Sequence, residues 1–184
     1  MNLILASASP RRKELLQLFG IPFAVRVADI DETMDPEGSA FDEVARVSRL
    51  KALAVNPKPD EIVIAADTIV VCQGKILGKP RSEDQAVQIL RLLSGRDHQV
   101  MTGCTVLFGD RCETFTEVTD LHFRELSQKE IEKYVATGEP MDKAGAYAIQ
   151  GGAGAFVSAL DGELENVIGF PVVEVREMLS HFGL

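Results

Sequence analysis

The sequence alternates short apolar runs with amphipathic segments, and this alternation restricts the fold more than any other feature. The first run, NLILA at residues 2–6, is bounded by small polar residues and predicts a buried strand. The next segment, SPRRKELLQLFG, predicts a helix with Leu15, Leu16, Leu18 and Phe19 on its apolar face and a stop at Gly20. Strands that alternate with helices, together with two long adjacent strands, favour an α/β fold with a mixed, twisted central sheet flanked by helices.

The remaining elements follow from the same patterns. Further strands are predicted at residues 22–28, 61–80 with a turn at Gln73-Gly74, 98–108, 112–124 and 155–160. Further helices are predicted at residues 40–55, 82–95, 127–140 and 172–183. In the helix at 40–55, the apolar face is predicted to consist of Phe41, Val44, Val47 and Ala54. Capping signatures are predicted at Ser82 with Gln85 and at Ser127 with Glu130. No repeat or linker interrupts the 184 residues, so we interpret them as a single domain.

Charge and composition exclude several classes of function. The formal net charge of −9 repels a polyanion, and the chain has no Trp and two Tyr for stacking bases, so binding to a nucleic-acid polymer is disfavoured. No apolar run approaches the ~18 residues that would indicate a membrane span. The apolar stretch at the N-terminus has no basic region before it and is interpreted as a strand and not as a secretion signal.

The cysteines and histidines do not form a recognisable metal or disulfide pattern. Cys72, Cys104 and Cys112 are odd in number and widely spaced, which favours reduced thiols and a cytoplasmic protein. The three histidines lie far apart in the sequence and show no HExxH or paired arrangement.

The start of the first helix carries an unusual cluster of cations. Ser9 as the N-cap and Pro10 at the first helical position form a strong helix start, which Arg11, Arg12 and Lys13 then follow. Cations at this electropositive end cost up to about 1 kcal/mol each unless an anion is near. A bound phosphate would make them favourable, because the guanidinium fork matches phosphate oxygens. The alternative is that the cations point into water or pair with acidic residues.

A single carboxylate interrupts the longest apolar run. In IVIAADTIVV, Asp67 and Thr68 break a stretch that is otherwise apolar from Ile62 to Cys72. A buried aspartate is rare unless it is paired or functional. The alternative is a strand end or bulge at which Asp67 caps a turn.

The predicted Gln73-Gly74 turn suggests a cation for that carboxylate. A two-residue turn there pairs Cys72 with Lys75, and counting outward places Lys79 opposite Thr68, beside Asp67. The segment GKILGKP does not have the spacing of a phosphate-binding Walker loop. Alternatively, Lys79 is an ordinary exposed lysine.

Other candidates are individually weak. Glu32 lies in an acidic loop of a kind that is usually solvated, and Lys51 lies on a helix where a lysine is more often at the surface. The glycine-rich stretch DKAGAYAIQGGAG lacks the dinucleotide fingerprint, so its glycines indicate tight turns or close approach of a ligand.

Seven stretches taken together resemble the Maf family of nucleoside triphosphate pyrophosphatases. In order along the chain they are SASPRR, DET, RLKA, AADTIV, LGKP, TGEPMDKAGAYAIQG and NVIGFP, and they extend from Leu5 to Pro171. The resemblance implies an elongated, two-lobed, ITPase-like single domain with a cleft. It also implies hydrolysis of a nucleoside triphosphate to the monophosphate and pyrophosphate with a divalent metal, Mg²⁺ or Mn²⁺. One departure is Ala148, where many relatives have glycine.

The resemblance also assigns the residues of the site. Asp67 matches the family's proposed general base, and Glu32 and Asp67 are the carboxylates that would hold the metal. The positions that match phosphate- or substrate-binding residues are Ser7, Arg12, Lys51 and Lys79. Arg11, Thr68 and Gln150 match the specificity positions of the branch that acts on dTTP and UTP. The branch that acts on 7-methyl-GTP has Trp, Gln and Glu at these places.

The chemistry of two specificity positions agrees with a pyrimidine. The Thr68 hydroxyl and the Gln150 amide offer donors and acceptors that suit the O2, N3–H and O4 edge of the base. The alternatives are a 7-methyl-GTP pyrophosphatase, a nucleotide-binding regulator of septum formation, and a general phosphatase that releases single phosphate. A homodimer is expected from the resemblance, although the sequence does not indicate an interface.

Overall fold

The computed structural model describes residues 1–184, which divide into two compact units. Unit 1 comprises Met1–Thr68, Thr102–Glu117 and Gly169–Leu184, and unit 2 comprises Ile69–Met101 and Val118–Ile168. None of the helices is long and apolar enough to cross a membrane.

Strands and helices alternate along the chain as the sequence predicts. The strands are β1 (Asn2–Leu5), β2 (Phe23–Val25), β3 (Glu61–Cys72), β4 (Lys75–Leu77), β5 (Asp97–Phe108), β6 (Arg111–Phe123) and β7 (Val157–Asp161). The helices are α1 (Pro10–Gln17), α2 (Ala40–Ala54), α3 (Glu83–Leu93), α4 (Gln128–Val135), α5 (Leu164–Ile168) and α6 (Val172–His181). Short 3₁₀ turns occupy Glu139–Asp142, Ala144–Ala146 and Gly152–Phe156.

The strands form one mixed sheet of seven strands. Their order is β2-β1-β3-β5-β6-β7, and β4 pairs with β3. Strand β1 runs parallel to β2 and β3, whereas β4 and β7 pair antiparallel with β3 and β6. The mixed α/β fold predicted from the sequence is therefore confirmed.

In unit 1, apolar side chains cover both faces of the parallel strands. Leu5 and Ile64 pack on one face with residues of α1 and α6, and Ile4 and Val63 pack on the other face with Ala52 of α2. Successive side chains of a strand point to opposite faces, so these continuous apolar runs require helices on both sides.

Helix α2 lies unusually close to β5 in unit 1. A Cβ atom at Gly103 would lie 2.4 Å from the Val44 carbonyl oxygen, which is backbone of the helix. One turn further along α2, the Ser48 hydroxyl makes a 2.8 Å hydrogen bond to Thr105 of β5. These contacts fix the position of α2 on the sheet.

The core of unit 2 contains a cluster of buried rings. The ring centroid of Phe123 lies 4.8 Å from the centroid of His98 and 4.9 Å from that of Tyr147, and both contacts are edge to face. The His98 ring and the Tyr147 hydroxyl form a 2.8 Å hydrogen bond. Burial lowers the pKa of His98 to about 4, so the ring is neutral at pH 7 and belongs to the core.

The predicted helix starts are confirmed, with one difference at Ser82. At the start of α4, Ser127 and Glu130 form a complete capping box. At the start of α3, the Ser82 side chain accepts from Gln85 N, but the Gln85 side chain accepts from the backbone of Arg81 instead of Ser82. The second half of that predicted box is therefore wrong.

Other differences concern the ends of elements. The helix predicted to reach residue 140 ends at Val135, because the chain turns at Gly138 with a φ of 75°. The second strand is only Phe23–Val25, and α5 was not predicted. Leu18 and Phe41 were expected on apolar faces but are exposed, since Leu18 follows the end of α1 and Phe41 lies in the first turn of α2.

Candidate active site

The side chain of Arg12 turns back from the start of α1 into unit 1. Its Nε donates to the Gly169 carbonyl at 2.9 Å, its Nη1 to Ser7 Oγ at 3.2 Å, and its Nη2 to Thr68 Oγ1 at 3.0 Å. All three acceptors are neutral, so no direct ion pair neutralises the guanidinium. Burial lowers the pKa of Arg12 from its ordinary value, and the nearby Asp67 opposes this effect. The group remains charged and attracts anions.

The end of β1 and the start of α1 hold this arginine in place. Ser9 is the N-cap of α1, and its side chain accepts from Arg12 N. The Ser7 hydroxyl oxygen accepts from Ser9 N at 3.2 Å as well as from Arg12. For Arg12, the alternative of a cation in water is therefore wrong. Lys13 is exposed, and Arg11 is half-buried.

Asp67 lies within β3, with its side chain 11% exposed. Its Oδ1 accepts a 2.7 Å hydrogen bond from Lys51 Nζ on α2. The same Nζ lies 3.1 Å from Glu32 Oε1, in the loop between β2 and α2. A single ammonium thus connects two carboxylates. The alternative of a strand end at Asp67 is wrong, because β3 continues to Cys72.

The cation beside Asp67 is Lys51 and not Lys79. The predicted hairpin is correct, since Cys72 pairs with Lys75 across the Gln73-Gly74 turn. However, the pairing ends at Leu77, so the register does not extend to Lys79. Lys79 is exposed in unit 2.

A sequence signal for Lys51 did exist. It lies four residues after Val47 and three after Ser48, and both of these side chains are buried. Residues at these spacings share one face of a helix, so Lys51 points to the same side as the buried residues of α2. Its side chain is only 14% exposed.

The loop that carries Glu32 is attached to α2 by an ion pair that we did not predict. Arg46 contacts Glu43 through two hydrogen bonds of 2.9 and 2.7 Å. Arg46 Nη2 also donates to the Thr33 carbonyl at 2.9 Å, and Glu43 Oε2 accepts from Asp35 N at 2.8 Å. Hydrogen bonding from Arg46 lowers the pKa of Glu43 to about 2.

Thr68 connects Arg12 to the strand next to β3. Its hydroxyl accepts from Arg12 and makes a 3.0 Å hydrogen bond to the Thr102 hydroxyl. A hydroxyl has one donor hydrogen and two acceptor positions, so Thr68 retains one hydrogen-bonding function: an acceptor position if it donates to Thr102, or its donor hydrogen if it accepts from Thr102. Thr68 therefore supports Arg12 directly, which the sequence interpretation did not foresee.

Gln150 lies in unit 2, in a turn closed by a 3.0 Å hydrogen bond from Gly151 N to the Ala148 carbonyl. Its side chain is exposed. Before this turn, Gly145 has a φ of 67° and donates to the Gly78 carbonyl at 3.2 Å. The glycine-rich stretch thus forms tight turns, as the sequence indicates.

Two acidic side chains, those of Glu32 and Asp67, contact Lys51. No group of three or more His, Cys, Asp or Glu side chains could hold a metal ion. Glu32 and Asp67 are the carboxylates of this part of unit 1, and Ser7, Arg12 and Thr68 form the adjoining cationic part.

The fold and the relatives identify the class and then the family. A HAM1 protein from Coxiella burnetii has a similar structure, with a TM-score of 0.54 over 98% of this chain and 99% of that one at 14% identity, which shows the fold class. The family model for Maf-like protein matches residues 2–182, and the chain therefore belongs to the Maf family.

Two relatives are similar over nearly the whole chain. A dTTP/UTP pyrophosphatase of Exiguobacterium sibiricum is 48% identical over 99% of this chain and 93% of the relative. A dTTP/UTP pyrophosphatase of Yersinia pestis is 50% identical over 98% of this chain and 92% of the relative.

Proposed function

We propose that this protein hydrolyses dTTP and UTP to the nucleoside monophosphate and pyrophosphate. The observation that carries the proposal is the placement of Asp67 and Thr68, which are consecutive in β3. Asp67 contacts Lys51, and Thr68 contacts Arg12. A buried carboxylate thus lies next to a guanidinium whose charge has no acidic partner. The relatives named dTTP/UTP pyrophosphatase support the choice of substrate.

The cationic groups would bind the triphosphate. Arg12 has five N–H hydrogens and uses three of them within the protein, so two remain for phosphate oxygens. At the start of α1, Pro10 has no N–H and the N–H groups of Arg12 and Lys13 already donate to Ser9, so the backbone donor that remains for an anion is the N–H of Arg11. Arg11 is the neighbouring cation, and Lys79 is assigned to phosphate by the sequence resemblance alone.

Asp67 would act as the general base. Lys51 bonds Oδ1, which leaves Oδ2 to accept a proton from a water that attacks the α-phosphorus. The bond from the water oxygen to the α-phosphorus forms as the bond from the α-phosphorus to the pyrophosphate oxygen breaks, and pyrophosphate leaves. Arg12 and Lys51 would stabilise the negative charge that develops on the phosphate oxygens.

We also propose a divalent cation, Mg²⁺ or Mn²⁺, held by Glu32 and Asp67. The donor set fits, because Mg²⁺ is commonly bound by one or two carboxylates together with substrate phosphates and water. Glu32 Oε1 and Asp67 Oδ1 lie 3.1 and 2.7 Å from Lys51 Nζ, so the two carboxylates are close enough to share one cation, which would displace this ammonium or use the other two carboxylate oxygens. When bound, such a cation would neutralise phosphate charge and acidify a nearby water.

Nucleobase choice would rest on Gln150, with Arg11 and Thr68. The Gln150 amide can donate and accept, which suits the O4 and N3–H edge of thymine or uracil. Thr68 keeps one hydrogen-bonding function for a ligand, whereas the Gln150 amide can both donate and accept, so we assign most of the discrimination to Gln150. Near-equal use of all nucleotides at low substrate concentration would contradict this assignment.

Product analysis tests the proposal. The protein is incubated with Mg²⁺ or Mn²⁺ and dTTP, UTP, CTP, 7-methyl-GTP or ITP, and products are separated by ion exchange. We expect monophosphate plus pyrophosphate, fastest from dTTP and UTP. Single phosphate would indicate a general phosphatase, and preference for 7-methyl-GTP would indicate the other branch. Tight binding without turnover would favour the nucleotide-binding regulator of septum formation.

Compartment and assembly complete the proposal. Cys72, Cys104 and Cys112 form no disulfide, which agrees with the cytoplasm. A homodimer stays a prediction from the family resemblance, and its test is the molar mass in solution.

A further inference from the structure

The turn that carries Gln150 is held on one side by a side chain of α4 and on the other by a side chain of the 3₁₀ turn that follows α4. Before Gln150, the backbone N–H of Ala148 donates to the Tyr134 hydroxyl oxygen at 3.0 Å. After Gln150, the backbone N–H of Gly152 donates to Glu139 Oε2 at 3.1 Å. These two side chains, Tyr134 and Glu139, are close to each other in the sequence, but no sequence motif predicts that they bind this turn.

Tyr134 and Glu139 also contact each other. The Tyr134 oxygen accepts from Ala148, so its O–H hydrogen is free to donate elsewhere. Burial, together with hydrogen bonding to Glu139, raises the pKa of Tyr134 above its ordinary value. Tyr134 is therefore neutral at pH 7 and lies beside the Glu139 carboxylate. The two side chains thus form one unit, which we call the Tyr134–Glu139 pair.

The carboxylate also restricts the backbone next to Gln150. A Cβ atom at Gly151 would lie 1.9 Å from Glu139 Oε1, so a larger residue at this position would displace the Glu139 carboxylate. Gly151 in turn closes the tight turn through its N–H to the Ala148 carbonyl. The Glu139 carboxylate therefore fills the space against the backbone immediately after Gln150.

The pair itself has a firm support. Tyr134 is buried in the last turns of α4, with its ring edge to face on Phe156 at a centroid distance of 5.2 Å. The Thr137 hydroxyl donates to the Tyr134 carbonyl at 2.6 Å and accepts from Glu139 N at 3.2 Å. The backbone around Gln150 is thus fixed, while the exposed Gln150 side chain projects from it.

We propose that Tyr134 and Glu139 are positioning residues that fix the direction in which Gln150 meets the nucleobase, and that they thereby set base discrimination. This inference rests on the proposed function, because it needs Gln150 to contact the base. Neither residue is assigned to the reaction itself. Their removal should therefore alter the choice between bases more than the chemical step.

The test compares kcat/KM for dTTP and CTP in the wild type, Glu139→Ala, Glu139→Gln and Tyr134→Phe. Loss of one hydrogen bond that orients Gln150 should reduce the dTTP:CTP ratio by about fivefold, given that such a bond contributes about 1 kcal/mol. Glu139→Gln keeps an oxygen acceptor for Gly152 N–H and should retain most of the ratio. Tyr134→Phe keeps the ring and should lower the ratio, which provides a second variant if Glu139→Ala does not fold.

A double-mutant cycle with Gln150→Ala separates positioning from a general structural effect. If Glu139 acts through Gln150, the Glu139→Ala change should not reduce the ratio further in the Gln150→Ala protein. An equal reduction in both backgrounds would overturn the inference, as would an unchanged ratio in both Glu139→Ala and Tyr134→Phe. A fall in melting temperature with an unchanged ratio would show a structural role only.

Failure of the proposed function is a separate result. If the wild type turns over no nucleotide, the proposed function is overturned, and the same variants are compared by the ratio of the dTTP and CTP dissociation constants. A ratio that Glu139→Ala lowers only when Gln150 is present supports the inference for binding. A wild type that turns over no nucleotide and binds dTTP and CTP equally well overturns both the proposed function and the inference about Tyr134 and Glu139.

Discussion

Replacement of Gly103 by alanine should separate α2 from β5 and so disturb the active site without touching any of its residues. The added Cβ atom would lie 2.4 Å from Val44 O, 2.6 Å from Val44 C and 2.8 Å from Ala45 N. Ordinary contacts begin near 3.4 Å. The atoms in conflict are backbone, so no side-chain rotation relieves them, and α2 must move by about 1 Å.

The consequence of such a shift can be estimated from two hydrogen bonds. The Ser48–Thr105 bond of 2.8 Å would lengthen to about 3.8 Å and break. Lys51, on the same helix, would move from its 2.7 Å contact with Asp67. Overpacking of this kind costs about 1–3 kcal/mol. For a chain of this size, that lowers the melting temperature by roughly 2–12 °C.

Activity should fall even at temperatures where the variant is folded. A displacement of 1 Å at a catalytic group can cost about 100-fold in rate, so kcat/KM for dTTP should fall by about that factor at a temperature where the variant is folded. Thermal unfolding by circular dichroism and pyrophosphate release measure the two effects. Gly78→Ala is the control for stability, since no atom lies within 4 Å of its added Cβ.

Two results would refute this reasoning. A Gly103→Ala protein with the melting temperature of the wild type would show that α2 does not lie on β5 as described. A destabilised protein with full turnover would show that the position of α2 does not control Lys51.

Three further predictions concern single side chains. Asp67→Asn should abolish measurable pyrophosphate release while nucleotide binding, measured by calorimetry, persists; unchanged turnover would exclude Asp67 as the base. Arg46→Ala should free the loop of Glu32 and weaken Mn²⁺ binding, followed by electron paramagnetic resonance, whereas unchanged Mn²⁺ binding would exclude this support. Arg26 lowers the pKa of Glu61 to about 2, so this pair should stabilise the fold fully above pH about 4.5 and progressively less as pH falls toward 2. Glu61→Gln should flatten that acid limb in urea unfolding curves, and an unchanged acid limb would contradict the assignment.

Local patterns in the sequence predicted most helices and strands, because the local structure that these patterns favour is also the one that the fold requires. Ser9 with Pro10 marks the start of α1, and Ser127 with Glu130 marks the start of α4. The Gln73-Gly74 dipeptide adopts positive φ angles of 52° and 74° and sets the register of the hairpin. Each of these features depends on neighbours in sequence, so the chain alone contains the information.

The error at Lys79 shows where local reasoning stops. Counting along a hairpin assumes that the ladder continues, but the Gly78 carbonyl bonds to Gly145 instead, and Pro80 has no N–H to donate. The cation that does reach Asp67 comes from α2. Lys51 reaches Asp67 because α2 packs closely against Gly103, and this packing is a tertiary contact that local sequence patterns do not reveal.

The hydrogen bonds that support the loop carrying Glu32 could not be predicted from the sequence, for a similar reason. Glu43 and Arg46 have the spacing of an ordinary surface pair on a helix. Their hydrogen bonds to the backbone of Thr33 and Asp35 depend on the path of a loop, which residue types alone do not determine. The sequence therefore indicated Glu32 as a candidate but not what holds it.

The two carboxylates that contact Lys51 differ in how well the chain around them tolerates substitution. Asp67 belongs to β3, which lies between β1 and β5, so a backbone change there would disturb three strands. Glu32 belongs to a loop whose side chains are largely exposed, and its own side chain is 55% exposed. Insertions and substitutions are tolerated in such loops. Under the proposed function, substitutions in residues 31–39 would therefore adjust the metal preference or the turnover rate, while Asp67, the proposed base on β3, would be retained.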